Sequence, residues 1–135
     1  METKTIKQEV IFNVSPHEVY EALMDSKKHS EFTGDKAEIS REVNGEFTAF
    51  NGWIKGKNLE LVKDKKIVQE WAGTDEENTW PEGHFSKVTF LLTQVKEGTL
   101  LEFTHENIPD GWHDELVKGW EEHYWSKMKE FFKKK

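Results

Sequence analysis

The 135-residue chain contains no cysteine, a single arginine (Arg41), three prolines and no apolar run approaching the length of a membrane span. The first absence removes disulfides, thiolate zinc sites and cysteine nucleophiles together. With 26 acidic residues against 19 basic ones, the net charge of −7 argues against phosphate-backbone binding, because a nucleic-acid face needs clustered Lys and Arg. No apolar stretch of signal-peptide type opens the sequence. A cytoplasmic protein is therefore expected, with neither nucleic acid nor membrane as partner, and no cofactor motif is present. Internal repeats, low-complexity segments and linkers are also missing, so one domain over residues 1–135 is expected, long enough to bury a core without staples.

What the chain does hold is aromatic, with six tryptophans and nine phenylalanines. Ile6, Gln8, Val10, Phe12 and Val14 alternate with polar residues, which predicts a half-buried strand. Ser15-Pro16-His17-Glu18 reads as a helix start: Ser15 caps, Pro16 fits the first turn and Glu18 completes a capping box. Val19, Ala22 and Leu23 form the buried side of that helix, and a second short helix is expected over Ser26–Phe32, ending at Gly34.

From Ala37 the period changes to two. Strands are predicted around Ala37–Arg41, Glu46–Phe50, Trp53–Val62, Lys66–Ala72, His84–Val95 and Thr99–Asn107. Asn44-Gly45, Asn51-Gly52, Lys63-Asp64 and Glu97-Gly98 mark turns, and Thr74–Thr79 reads as an acidic loop. Pro109-Asp110-Gly111 breaks the pattern before one long closing helix. There Trp112, Leu116, Trp120, Tyr124 and Met128 recur every fourth position, with Val117 and Phe131 on the same arc. So bulky a face must lie on the sheet. The order predicts an α+β helix-grip fold: a curved antiparallel sheet wrapped around the C-terminal helix, with two short helices after the first strand.

Specific stretches carry a resemblance. Lys66-Ile67-Val68-Gln69-Glu70-Trp71, Trp80-Pro81-Glu82-Gly83-His84-Phe85 and Gly119-Trp120 through Tyr124 resemble the C-terminal domain of the activators of the 90-kDa heat-shock chaperone ATPase. Phe32-Thr33 and Phe50-Asn51-Gly52-Trp53-Ile54-Lys55-Gly56 are similar to the same family upstream. The family sits within the SRPBCC superfamily of birch-pollen-allergen-like and lipid-transfer-type folds. The resemblance implies the helix-grip fold and contacts with a chaperone's nucleotide-binding domain. The further N-terminal domain of the eukaryotic co-chaperones has no counterpart in these residues, and Thr74–Asn78 lengthens a loop.

Two functional readings follow. The first is non-enzymatic binding of a small hydrophobic ligand between sheet and closing helix. Its expected lining is Gln69, Trp71, Ser86, Val88, Phe90, Leu101, Phe103, His105, Leu116, Trp120 and His123: apolar walls with a few orienting polar groups. A plain aromatic core whose polar groups bond one another is the alternative for the same residues. The second reading is a co-chaperone stimulating a 90-kDa heat-shock chaperone through surface contacts. Trp80, beside the acidic loop, and Trp125, off the main helical arc, are the candidate anchors of an interaction surface, the alternative being that both simply cover the open edge of the fold. The six histidines lack a His-Glu-x-x-His spacing, so no metal is expected. Ser86 and His105 fall on neighbouring strands, but no nucleophile-elbow motif surrounds any serine, so no catalytic residue is assigned. A monomer or weak dimer fits the aromatic surface.

Overall fold

The computed structural model describes residues 3–73 and 83–133. The acidic loop and Trp80 lie outside the described residues. Seven strands, β1 (Thr3–Phe12), β2 (Glu38–Ile39), β3 (Glu46–Ala49), β4 (Ile54–Val62), β5 (Lys66–Gly73), β6 (Ser86–Val95) and β7 (Gly98–Pro109), form one antiparallel sheet. Their spatial order is β1-β7-β6-β5-β4-β3-β2, so the first strand returns to lie beside the last. Helices α1 (Pro16–Met24) and α2 (Ser26–Thr33) sit between β1 and β2. The chain closes with α3 (His113–Gly119), a π-helical turn (Trp120–Trp125) and α4 (Ser126–Lys133). This is the helix-grip fold.

The local causes are those the sequence carries. Ser15 Oγ accepts the Glu18 N–H at 3.3 Å, capping α1 just before Pro16. Asp25 Oδ1 caps α2 through the Lys28 N–H at 3.0 Å, and Gly34, at φ 81°, ends it in the left-handed region. The sheet's outer face is solvated in an ordered way. Glu46, Lys57, Glu70, Lys87 and Glu106 stand opposite one another across β3 to β7, alternating in sign, an arrangement that favours this register. Curvature comes with register shifts at Lys4/Ile6 and Asn58/Glu60. It comes also with Gly56, where a Cβ would stand 1.8 Å from the Glu70 carbonyl oxygen.

Two elements differ from expectation. The five-residue strand predicted from Ala37 is reduced to Glu38–Ile39. Serine hydroxyls of α2 take its backbone donors instead: Ser30 Oγ accepts the Ala37 N–H at 2.9 Å and Ser26 Oγ that of Ile39 at 2.7 Å. The closing helix is not uniform either. The Ser126 N–H bonds the Glu121 carbonyl, five residues back, and the wider turn rotates everything after it relative to an unbroken α-helix. Trp125, expected on an exposed interaction surface, is thereby carried inward to 1% exposure. Its ring lies 5.1 Å from Phe103, and its indole N–H donates to Gln8 Oε1 at 2.7 Å. Phe132 follows it inward, edge-on to Phe12 at 5.5 Å.

Candidate functional site

Most of the residues expected to line a cavity pack against one another. Trp120 reaches down from the π-turn to lie 4.3 Å from Phe103, 4.9 Å from Trp71 and 5.6 Å, nearly parallel, from Trp125. Phe90 and Phe103 are 5.4 Å apart on neighbouring strands. Val88 and Leu101 beside them have no measurable exposure. The space left between Gln69, Trp71, Phe90 and Tyr124 is about 10 Å³, no more than one water molecule needs.

The buried polar groups satisfy each other in a directed chain. The Trp120 indole N–H, which can only donate, meets His105 Nδ1 at 3.1 Å. The ring hydrogen of His105 is therefore on Nε2, which donates to Ser86 Oγ at 2.7 Å. Ser86 in turn donates to the Trp71 carbonyl at 3.1 Å. Burial holds the His105 imidazole neutral, pushing its pKa down to about 3. In this arrangement His105 has no lone pair facing Ser86 and cannot take its proton, so the pair does not form a nucleophile and base. A parallel chain runs from the Trp71 indole to Gln69 Oε1 at 3.1 Å, and from Gln69 Nε2 to Asn58 Oδ1 at 3.0 Å. Asn58 Nδ2 then binds the carbonyls of Ser40 and Glu42, tying the β2–β3 connection to the sheet.

Across the closing helix, His29 Nε2 and Tyr124 Oη are 2.9 Å apart. Burial lowers the His29 pKa to about 4 and raises that of Tyr124. His29 Nδ1 is buried with no hydrogen-bond partner among the described residues.

Outside this core, a cleft of about 240 Å³ lies beside the π-turn. One wall is the β3–β4 corner, with Phe50, Trp53 and Ile54; the other is α3 and the π-turn, with Trp112, Glu115, Leu116 and His123. Trp71, Gly119, Trp120 and Tyr124 form the rest. Phe50 has φ 54°, in the left-handed region, which costs a bulky residue about 1–2 kcal/mol. The corner is held by Asn51, whose Oδ1 accepts the Lys36 N–H at 2.8 Å and whose amide donates to Asp35. It brings the Phe50 ring edge-on to Tyr124 and His123, each at 5.8 Å. Gly119 is helical, and a Cβ there would meet only His123 Cδ2, at 3.9 Å. The missing side chain is what keeps that part of the wall low.

Of the eleven expected lining residues, Trp71, Leu116, Trp120 and His123 meet at this cleft. Gln69, Ser86, Val88, Phe90, Leu101, Phe103 and His105 lie in the core beneath it. The sequence reading missed Phe50, Trp53, Ile54, Trp112, Glu115, Gly119 and Tyr124 as partners in one site. The available signal was an aromatic residue directly before a turn-forming Asn51-Gly52. Among the described residues no group of three or more histidine or carboxylate side chains is placed to hold a metal, and no helix is long and apolar enough to cross a membrane.

Comparison with known proteins bears on the family and the fold. The family model described as activator of Hsp90 ATPase homolog 1-like protein matches residues 13–133. The human activator of 90 kDa heat shock protein ATPase homolog 1 is 28% identical over 121 residues, covering 90% of this chain and 35% of that protein. The Dictyostelium discoideum homolog is 29% identical over 131 residues, 96% of this chain and 33% of that protein. The chain thus spans about a third of the length of the curated relatives it matches. Among solved structures, an HSP90 activator from Plasmodium falciparum superposes with a TM-score of 0.84 at 28% identity, covering 96% of this chain and 95% of that one. A dimeric Aha1 from Colwellia psychrerythraea shares the fold, with a TM-score of 0.75 at 20% identity over 91% of this chain and 92% of that one.

Proposed function

The chain belongs to the family of activator of Hsp90 ATPase homolog 1-like proteins, and from that premise we propose that it acts as a non-enzymatic contact module for a 90-kDa heat-shock chaperone, with the aromatic cleft beside the π-turn as its working surface. The observation that carries this reading is the aromatic lining of that outward-facing cleft. Packed rings and hydrogen-bonded polar groups fill the interior between sheet and helix. The 240 Å³ cleft faces outward, lined by aromatic residues of the kind that anchor protein interfaces. Two of the relatives that share nearly the whole of this chain's length carry Hsp90 activation in their names.

The test is stimulation of a 90-kDa chaperone's ATPase, together with binding by calorimetry, for the wild type and Gly119→Phe. The new ring fills the cleft from a helical position with room for it, so binding and stimulation should both fall by an order of magnitude or more. Circular dichroism and the thermal midpoint should stay near those of the wild type. A Gly119→Phe protein that binds and stimulates normally would refute the reading.

A small hydrophobic ligand in the same cleft is the second reading, favoured by its predominantly apolar walls. The volume is below the about 300 Å³ at which ligand pockets usually begin, which places this reading behind the first. Native mass spectrometry of protein from its own host separates the two, since a retained small-molecule mass supports the ligand and a clean protein mass supports the contact surface.

A further inference from the structure

We propose that the chain forms a symmetric dimer in which the free edge of β1 pairs antiparallel with the same edge of a second copy, centred on Gln8. The inference is independent of the contact reading, because none of the residues lining the cleft stands on β1.

Strand β1 ends the sheet and is bonded to β7 on one side alone. From Ile6 to Phe12 its register with β7 is unbroken, the one shift falling at Lys4/Ile6, and it holds no proline. Among the described residues, no other element offers a hydrogen bond to its backbone. Such an edge is a template for another strand. The opposite edge of the sheet is blunted, since β2 spans only Glu38–Ile39.

Charge on the outer face selects the occupant. Lys7, Glu9 and Ile11 are exposed there, whereas Ile6, Val10 and Phe12 are buried and Gln8 is bonded to Trp125. Glu9 stands directly opposite Glu102 of β7, and Lys7 stands opposite Thr104. Like charges facing each other across a ladder are destabilising. Neither Lys7 nor Glu9 nor Glu102 joins an ion pair among the described residues. The strand therefore carries one unmatched charge of each sign on the same face. About a two-fold axis through Gln8, Lys7 of each copy meets Glu9 of the other, Ile6 meets Val10 and the exposed Ile11 meets Thr5. Each acidic pair gains a cation beside it, and the contact is self-complementary as a two-fold requires.

Neighbouring registers fail. A slip of one residue sets the outer side chains of one copy against the inner ones of the other. Moving the axis to Lys7 places Lys7 on Lys7, and moving it to Glu9 places Glu9 on Glu9, like charges in both cases. A foreign extended segment has the same backbone bonds to offer, but the order Lys7-Gln8-Glu9 is matched by its own reverse.

One strand pair is a small interface, of the weak class, so sedimentation velocity of the whole chain from about 10 µM to about 1 mM measures it. A concentration-dependent dimer is expected. Lys7→Glu and Glu9→Lys each set like charges across both arms of the two-fold and should raise the dissociation constant by about tenfold or more. Glu9→Lys also places a cation opposite Glu102 within the chain, so its loss of dimer is not a loss of fold; circular dichroism checks this for each variant. The double variant Lys7→Glu/Glu9→Lys restores the unlike pairs with signs exchanged and should return to within about threefold of the wild type. A wild type that stays monomeric throughout the range overturns the proposal. So does a dimer that neither single swap weakens, or one that the double swap fails to rescue, because the copies then meet elsewhere or in another register.

Discussion

Lowering the pH from 7 to 5 should destabilise this protein by about 4 kcal/mol through two histidines. His29 and His105 stay neutral in the folded state down to about pH 4 and about pH 3, held there by burial. In the unfolded chain both take up a proton near pH 6.5. Below that value the unfolded chain binds more protons than the folded one, so stability falls as pH falls. The stabilisation is complete above pH 6.5 and is lost progressively down to about pH 4 for His29 and pH 3 for His105. Between pH 7 and 5 the integrated loss is about 2 kcal/mol per histidine. That is a large fraction of a domain's total of about 5–15 kcal/mol. Urea unfolding followed by tryptophan fluorescence at half-unit pH steps measures it, and the midpoint should move by about 2 M. His29→Phe removes one of the two titrating groups, so its slope against pH should be half that of the wild type, whatever its absolute stability. A wild-type midpoint that is flat over this interval, or an unchanged slope in His29→Phe, would refute the assignment of both rings as neutral and buried.

Three further outcomes follow from single contacts. Ser86→Ala leaves the His105 Nε2–H buried without an acceptor and should lower stability by about 1–3 kcal/mol in chemical denaturation, whereas a serine that merely filled space would cost far less. Ser15→Ala removes the α1 cap and should cost about 1 kcal/mol in the same assay. Gly98→Ala should be worse than either, because φ is 138° and a Cβ would stand 2.4 Å from the Phe12 carbonyl oxygen; hydrogen exchange should then show the β6–β7 turn and the end of β1 losing protection together.

The sequence displays the fold through features set within a few residues. The Ser15-Pro16 start, the Gly34 stop and the period-two runs of β4 to β7 are local, and each element stands close to where its pattern puts it. Helix register after Glu121 is different. A π-turn inserts one residue into one turn, and the stripe from Leu116 to Met128 remains compatible with a regular helix. Trp125 could therefore be read as an outward anchor or as cover for the fold's open edge, and the widened turn sends it to Gln8 and Phe103. The interior carried a second ambiguity. Inward-facing Gln69, Ser86 and His105 suit a ligand cavity or a self-satisfied core equally well in sequence. What separates them is geometry between strands and helix: the indole N–H of Trp120 aimed at His105 and that of Trp71 aimed at Gln69. The cleft was hidden because it draws on the β3–β4 corner and α3, which are distant in the chain.

Departures from local conformational rules gather around that cleft. Phe50 is the one bulky side chain at positive φ among the described residues; the others there are Asn44, Asn51, Asp64 and Asn107, types that tolerate it. Gly119 sits in a helical backbone where a Cβ would make an ordinary contact with His123 Cδ2 at 3.9 Å, and there glycine costs about 1 kcal/mol relative to alanine. The π-turn begins at the next residue and supplies Trp120, His123 and Tyr124 to the same wall. The strained corner and the glycine are not required for the fold's topology, which a plain turn and an alanine would serve with less strain, while the π-turn also seats Trp125 and Phe132 in the core. Their common product is an aromatic recess of defined depth at the edge of a filled core. Gly119→Ala separates fold from function on this account. It should raise the thermal midpoint by a few degrees, because about 1 kcal/mol is gained in a chain of this size, while weakening whatever the cleft binds. A substitution that raises the midpoint and leaves binding unchanged would mean that the glycine is an accident of the helix and that the recess has no occupant.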